Sequence, residues 1–137
     1  MKTEALRRMK TKRLGNSDLF ITPVGFGAWA IGGPGWEFAW GAQDDKASIA
    51  AIHRALKLGV NWIDTAAVYG TGHSEEVVAR ALMSWDGPRP YVFTKCGLRW
   101  DEHGKVRHVW NDYVRSASAT TVSRVPSLLP GLCAIPT

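Results

Sequence analysis

Two amphipathic helical stretches, each followed by a short apolar run, constrain this chain more than any other feature. From Asp44 to Leu58, apolar residues recur at Ile49, Ile52 and Leu56, which puts them on one helix face. Asp44 or Asp45 is placed to cap the start, because a carboxylate accepts from free amides and faces the positive helix end. Gly59 follows as a stop. Val60-Asn61-Trp62-Ile63-Asp64 then reads as a strand. A second helix is predicted from Ser74 to about Trp85, with Ser74 as cap and Glu75 and Glu76 in its first turn. Val78, Leu82 and Trp85 form its inner face. Asp86-Gly87-Pro88-Arg89-Pro90 breaks it, and Tyr91 to Lys95 is the next strand.

Upstream, Lys12-Arg13-Leu14 and Leu19-Phe20-Ile21 flank the turn Gly15-Asn16-Ser17-Asp18 and predict a hairpin. Pro23-Val24-Gly25-Phe26-Gly27 is a short strand, and the Gly- and Trp-rich stretch from Ile31 to Trp40 is predicted loop. The order is hairpin, strand, helix, strand, helix, strand. Such alternation indicates an α/β fold with a parallel sheet covered by helices. A doubly wound sheet and an eightfold barrel both satisfy it.

Composition narrows the function classes. A chain of 137 residues is of single-domain size. Its net charge of +5 is concentrated in residues 1–13, where six basic residues face one acid, and the rest is balanced. A basic arm without interleaved aromatics reads as a solvated leader, not a nucleic-acid surface. No apolar run approaches the roughly 18 residues of a membrane span, and the leader lacks the apolar core of a signal peptide. Cys96 and Cys133 have neither metal-ligand spacing nor a disulfide framework. These features favour a soluble cytoplasmic protein with no metal site.

The chemistry gathers at strand ends. Gly25-Phe26-Gly27-Ala28-Trp29-Ala30 superficially fits a dinucleotide fingerprint, but that motif must open a helix, and Gly32-Gly33-Pro34-Gly35 blocks one. Its glycines instead allow a ligand to approach the backbone. Asp64 ends one apolar strand, Tyr69 follows five residues later, and Lys95 ends the next strand. Singly, each has an ordinary structural explanation: a turn-capping acid, a packed loop aromatic, a surface lysine. Together, an Asp64–Lys95 ion pair would satisfy both groups where an unpaired lysine is unfavourable. A cation beside Tyr69 would stabilise its phenolate, lower its pKa from about 10, and make it a general acid. Gly70-Thr71-Gly72-His73-Ser74-Glu75-Glu76 reads as a turn into a helix, with anion binding as the alternative.

These residues resemble the aldo/keto reductase family. The resemblance rests on Leu14-Gly15-Asn16-Ser17-Asp18-Leu19, Thr22-Pro23-Val24-Gly25-Phe26-Gly27-Ala28-Trp29, Trp62-Ile63-Asp64-Thr65-Ala66-Ala67-Val68-Tyr69-Gly70, Gly72-His73-Ser74-Glu75-Glu76 and Phe93-Thr94-Lys95. It covers residues 9–111 in the family's order. It implies a partial (β/α)8 TIM barrel, about the first three βα units with an N-terminal hairpin. It implies reduction of a small aldehyde or ketone by NADPH, with NADH an alternative. Tyr69 would donate the proton, Lys95 held by Asp64 would tune it, and Gly27, Ala28 and Trp29 would line the site near the nicotinamide. A non-enzymatic, cofactor-sensing subunit of a channel shares the same pattern.

The family's histidine at the end of the fourth strand has no match here, and a full barrel needs roughly 250 residues. Residues 116–137 carry a single charge, Arg124, three prolines and no helical period. The expected organisation is therefore a basic extension over 1–8, a reductase-like portion over 9–113 and an irregular tail over 114–137. A frameshift near residues 114–116 would produce that tail. The matching expectation is a truncated chain, inactive alone or unable to fold.

Overall fold

The computed structural model describes residues 9–108 together with Val122 and Ser123. The basic extension and the remainder of the tail lie outside the described residues. Strands β1 (Lys12–Arg13) and β2 (Phe20–Ile21) form the predicted antiparallel hairpin, with Lys12 opposite Ile21. A central sheet then takes β3 (Phe26–Gly27), β4 (Trp62–Asp64) and β5 (Tyr91–Phe93), all parallel, with β4 in the middle. Helices α1 (Asp45–Lys57) and α2 (His73–Met83) are the connections between them. After β5 comes a second hairpin, β6 (Leu98–Trp100) with β7 (Val106–His108), which the sequence reading did not anticipate. Strand β8 (Val122–Ser123) pairs antiparallel with β5, outside the βα alternation.

Helix α1 starts as expected. The Asp44 side chain accepts from the Lys46 amide at 2.9 Å, and Gly59 turns the chain with φ +95. Helix α2 does not. Its N-cap is Gly72, without a side-chain cap, and Ser74 lies inside the first turn. Ser74 is fully buried and its hydroxyl bridges two strand ends, a role described below. The predicted loop from Ile31 also tightens into one 3-10 turn over Ala30–Gly32. A single turn is as far as a helix gets there before Gly33 at φ +69, which removes the dinucleotide fingerprint.

The core between sheet and helices is aliphatic: Ile52, Leu56, Ile63, Val77, Val78, Ala81 and Val92, with Ala28 and Ile31 at its upper edge. Each large buried side chain contributes about 1.5–3 kcal/mol, so this layer holds the fold. Ile49, Leu82 and Trp85 pack on its margin.

The stretch from Asn61 to Asp64 shows why one short strand carries so much pattern. Asn61 accepts from the Thr22 amide at 2.9 Å and donates to the Phe20 carbonyl at 2.8 Å, tying the first hairpin to β4. Trp62 donates to the Thr22 carbonyl at 2.9 Å. Its ring lies over Gly25, where a Cβ would come within 2.2 Å of it, so only glycine fits. Ile63 points into the core with no exposure. Asp64 emerges at the sheet's end.

Candidate active site

Parallel pairing brings the C-terminal strand ends to one face: Gly27 opposite Asp64, and Asp64 opposite Phe93. The ladder continues one residue further, with the Ala28 amide donating to the Asp64 carbonyl and the Thr65 amide to the Phe93 carbonyl, both at 2.8 Å. Lys95 therefore stands two residues beyond β5, across from Asp64. Its ammonium donates to Asp64 Oδ1 at 2.7 Å and to the Thr65 carbonyl at 2.9 Å. The same nitrogen lies 4.9 Å from the centre of the Tyr69 ring.

Desolvation works against the charge on Lys95. The hydrogen bond to Asp64, with the Tyr69 phenol adjacent, outweighs it, and the pKa is raised above its ordinary 10.5. The pair is half open, with side-chain exposures of 48 % and 38 %. An ion pair so exposed adds little to stability. Its placement matters for chemistry.

Tyr69 is held by backbone geometry. Gly70, Thr71 and Gly72 are successive residues at φ +64, +52 and +105. Thr71 is β-branched, and its left-handed conformation stores strain beside the phenol. Gly70 presses on Gly32 so closely that a Cβ would lie 2.0 Å from the Gly32 carbonyl oxygen. This contact sets the tyrosine loop against the tryptophan loop. The Tyr69 ring then packs on Trp29 at 5.1 Å and on Trp36 at 6.0 Å, within offset-stacking range.

Ser74 completes the frame. Its hydroxyl donates to the Ala28 carbonyl at 2.7 Å and meets the Thr65 hydroxyl at 3.0 Å, with both side chains buried. The first-turn amides of His73 and Ser74 donate to the carbonyls of Gly70 and Tyr69 at 3.1 and 3.2 Å. Two of the donors an anion would need are thus committed to the turn. At the rim, Asp45 joins His73 at 2.9 Å and also Arg80, linking the two helices.

The residues expected to meet a cofactor divide. Gly27 is exposed, and a Cβ there would meet nothing within 4 Å. Trp29 is 39 % exposed and donates to the Phe38 carbonyl at 3.0 Å, which fixes its ring. Ala28 has no exposure, and its amide and carbonyl are both bonded within the protein. It anchors the strand end and offers a ligand no surface.

A cavity of about 160 Å³ opens above these groups, lined by Trp29, Trp36, Phe38, Tyr69, Lys95 and Leu98 among others. Most of its lining is apolar, with the phenol and the ammonium as the groups able to donate to an oxygen. No cluster of metal-binding side chains occurs among the described residues, and no helix there is long and apolar enough to cross a membrane.

Residues 23–121 match the aldo/keto reductase family. The chain belongs to this family. It is 39 % identical over 99 residues to an NADH-specific methylglyoxal reductase of Escherichia coli, covering 72 % of this chain and 29 % of the relative. It is 38 % identical over 102 residues to an aldo-keto reductase of Bacillus subtilis, with 73 % and 29 % covered. Among solved structures it is similar to a glycerol dehydrogenase of Gluconobacter oxydans, with TM-score 0.62 and 43 % identity over 78 % of this chain and 33 % of that one. The chain thus spans about 29 % of the length of those curated relatives. The family's members of known structure are (β/α)8 barrels, which agrees with the parallel strands and covering helices seen here.

Sequence reasoning missed Ser74's bridging role, the Gly32–Gly70 contact and the second hairpin. A serine between glycines and glutamates reads as a cap, and nothing local distinguishes a hydroxyl that faces inward.

Proposed function

We propose that β3, β4 and β5 form the first βα units of a reductase barrel, and that this chain carries the proton-donating side of a nicotinamide-dependent carbonyl reduction. The observation that carries the reading is the position of the Lys95 ammonium, fixed by Asp64 and Thr65 and set against the Tyr69 ring at the mouth of an aromatic cavity.

The residues present suit a nicotinamide. Open space at Gly27 and the exposed face of Trp29 leave room for a flat ring beside the strand ends. The cofactor, when bound, supplies the hydride. Tyr69 binds the carbonyl oxygen of a small aldehyde or ketone and gives it a proton. The Lys95 charge stabilises the phenolate as that proton leaves, and Asp64 holds the ammonium in place. Packing of Tyr69 against Trp29 and Trp36 fixes its direction. Both NADPH and NADH are candidate cofactors, and the relative named as NADH-specific supports testing the two side by side.

The test grafts residues 9–111 in place of the matching segment of the Gluconobacter glycerol dehydrogenase and follows NADPH or NADH consumption with methylglyoxal and simple aldehydes. Tyr69→Phe is expected to lower kcat on the order of 10²–10⁴-fold with KM little changed. A Tyr69→Phe graft with the parent graft's rate would remove the proton-donor assignment.

A further inference from the structure

The second hairpin takes no part in the strand-end chemistry, yet it is fastened to the tryptophan loop at three points. The Val106 amide donates to Glu37 Oε2 at 2.8 Å, across 69 residues of sequence. The Glu37 amide donates to the Gly104 carbonyl at 3.3 Å. Gly104, at φ +73, passes Gly35 so closely that a Cβ would lie 2.5 Å from its carbonyl oxygen. Inside these fastenings, Leu98 and Val106 pack against the cluster of Trp36, Ala66, Val68 and Tyr69. Leu98 lines the same cavity as Tyr69 and Lys95.

A solvent-exposed glutamate bonded to a distant backbone amide contributes little to global stability. It does define where one loop stands relative to another, because a charged acceptor strengthens the bond and gives it direction. The cavity is small, so a shift of its wall alters what fits.

We propose that Glu37 is a positioning residue that fixes the Leu98–His108 hairpin as the outer wall of the Tyr69 cavity, and that Leu98 sets the size of the group seated beside the phenol. The aromatic lining and the volume of about 160 Å³ select a flat, compact aldehyde, for which benzaldehyde is the probe. The choice of an aldehyde rests on the proton-donor reading of Tyr69; the clamp does not.

The test uses the full chain with four variants. Hydrogen exchange reads the Val106 amide, and quenching of tryptophan fluorescence reads benzaldehyde binding. Glu37→Ala is expected to speed exchange at Val106 roughly tenfold and to weaken benzaldehyde several-fold. Glu37→Gln keeps an acceptor oxygen and should restore both. Leu98→Trp should weaken benzaldehyde roughly tenfold by filling the cavity, with Val106 exchange unchanged. Wild-type exchange at Val106 in Glu37→Ala overturns the clamp. Absence of benzaldehyde binding to the wild type, or binding indifferent to Leu98→Trp, overturns the wall. Tyr69→Phe keeps the ring and should leave Val106 exchange intact, while benzaldehyde loses the phenol as a donor and binds more weakly. Turnover surviving that variant in the grafted enzyme would sink the proton-donor reading while the clamp stood.

Discussion

Two hydrophobic clusters among the described residues are built from different material. The lower one is aliphatic and lies between β4, β5 and the inner faces of α1 and α2. The upper one is aromatic and lies between loops, where Trp36 and Tyr69 meet Leu98 and Val106. Periodic side chains on regular elements make the first. Close backbone contacts at glycines make the second, at Gly32 against Gly70 and Gly35 against Gly104. The scaffold therefore depends on side-chain volume, and the site depends on the absence of side chains at a few positions. Strand ends such as Asp64 connect the two, since one face of β4 is core and its last residue is chemistry.

That difference can be broken at either end. The largest effect is expected at Ile63, which has no exposure and sits at the centre of the middle strand. Ile63→Ala should lower unfolding stability by about 3–5 kcal/mol through lost burial and a cavity. Both clusters should loosen together, since Ile63 immediately precedes Asp64. Denaturant titration measures the loss. A cost under about 1 kcal/mol would mean the aliphatic layer does not carry the fold.

A smaller and more local effect is expected at Gly70. Gly70→Ala forces a Cβ into the Gly32 carbonyl and adds the strain of a left-handed alanine, about 1–2 kcal/mol from the backbone alone. Gly72→Ala, at φ +105 with nothing within 4 Å of a Cβ, bears the backbone strain without the collision. Near-UV circular dichroism should show the aromatic cluster of Tyr69, Trp29 and Trp36 disturbed by Gly70→Ala and preserved by Gly72→Ala. Equal spectra for the two variants would deny the Gly32 contact its role in placing Tyr69.

The same contrast explains what was legible beforehand. The spacing of Ile49, Ile52 and Leu56 and the Asp44 cap located α1, because helix signals repeat every turn and reinforce one another. Asp64 and Lys95 were legible as a pair because a charge at the end of an apolar run needs a partner, and they lie 2.7 Å apart. The Gly- and Trp-rich stretch reads as loop from its sequence, and geometry alone shows Trp29 packed on Tyr69. The hairpin from Leu98 to His108 was not read, since its strands are three residues each and its inward positions, Leu98 and Val106, are separated by the turn. Ala28 came with Gly27 and Trp29 from the family resemblance, and no local pattern shows that the strand end turns it into the core with no exposure. Backbone collisions such as Gly32 with Gly70 join positions 38 apart, which no local pattern encodes.

The smallest effect is electrostatic and tests whether the rim belongs to the scaffold or to the site. Asp45 lies at the start of α1 and accepts from Arg80 and from His73, both on α2. The Arg80 bond first, and the His73 bond second, hold its pKa below the ordinary 3.8. A carboxyl whose folded pKa is depressed adds stability above its unfolded pKa, and that stability disappears as pH falls through the folded value. Wild type should therefore exceed Asp45→Asn in denaturant midpoint near neutral pH, and the gap should close as pH drops below 3.8. The gap should also shrink in high salt, because the Asp45 side chain is 30 % exposed and the Arg80 side chain 50 %. A gap that ignored both pH and salt would mean that the bonds from Asp45 to Arg80 and His73 do not produce it. If the gap closes but the near-UV signal of Tyr69 and its tryptophan neighbours stays constant through the same titration, the rim serves the helices. The aromatic site then keeps its shape from the glycine contacts.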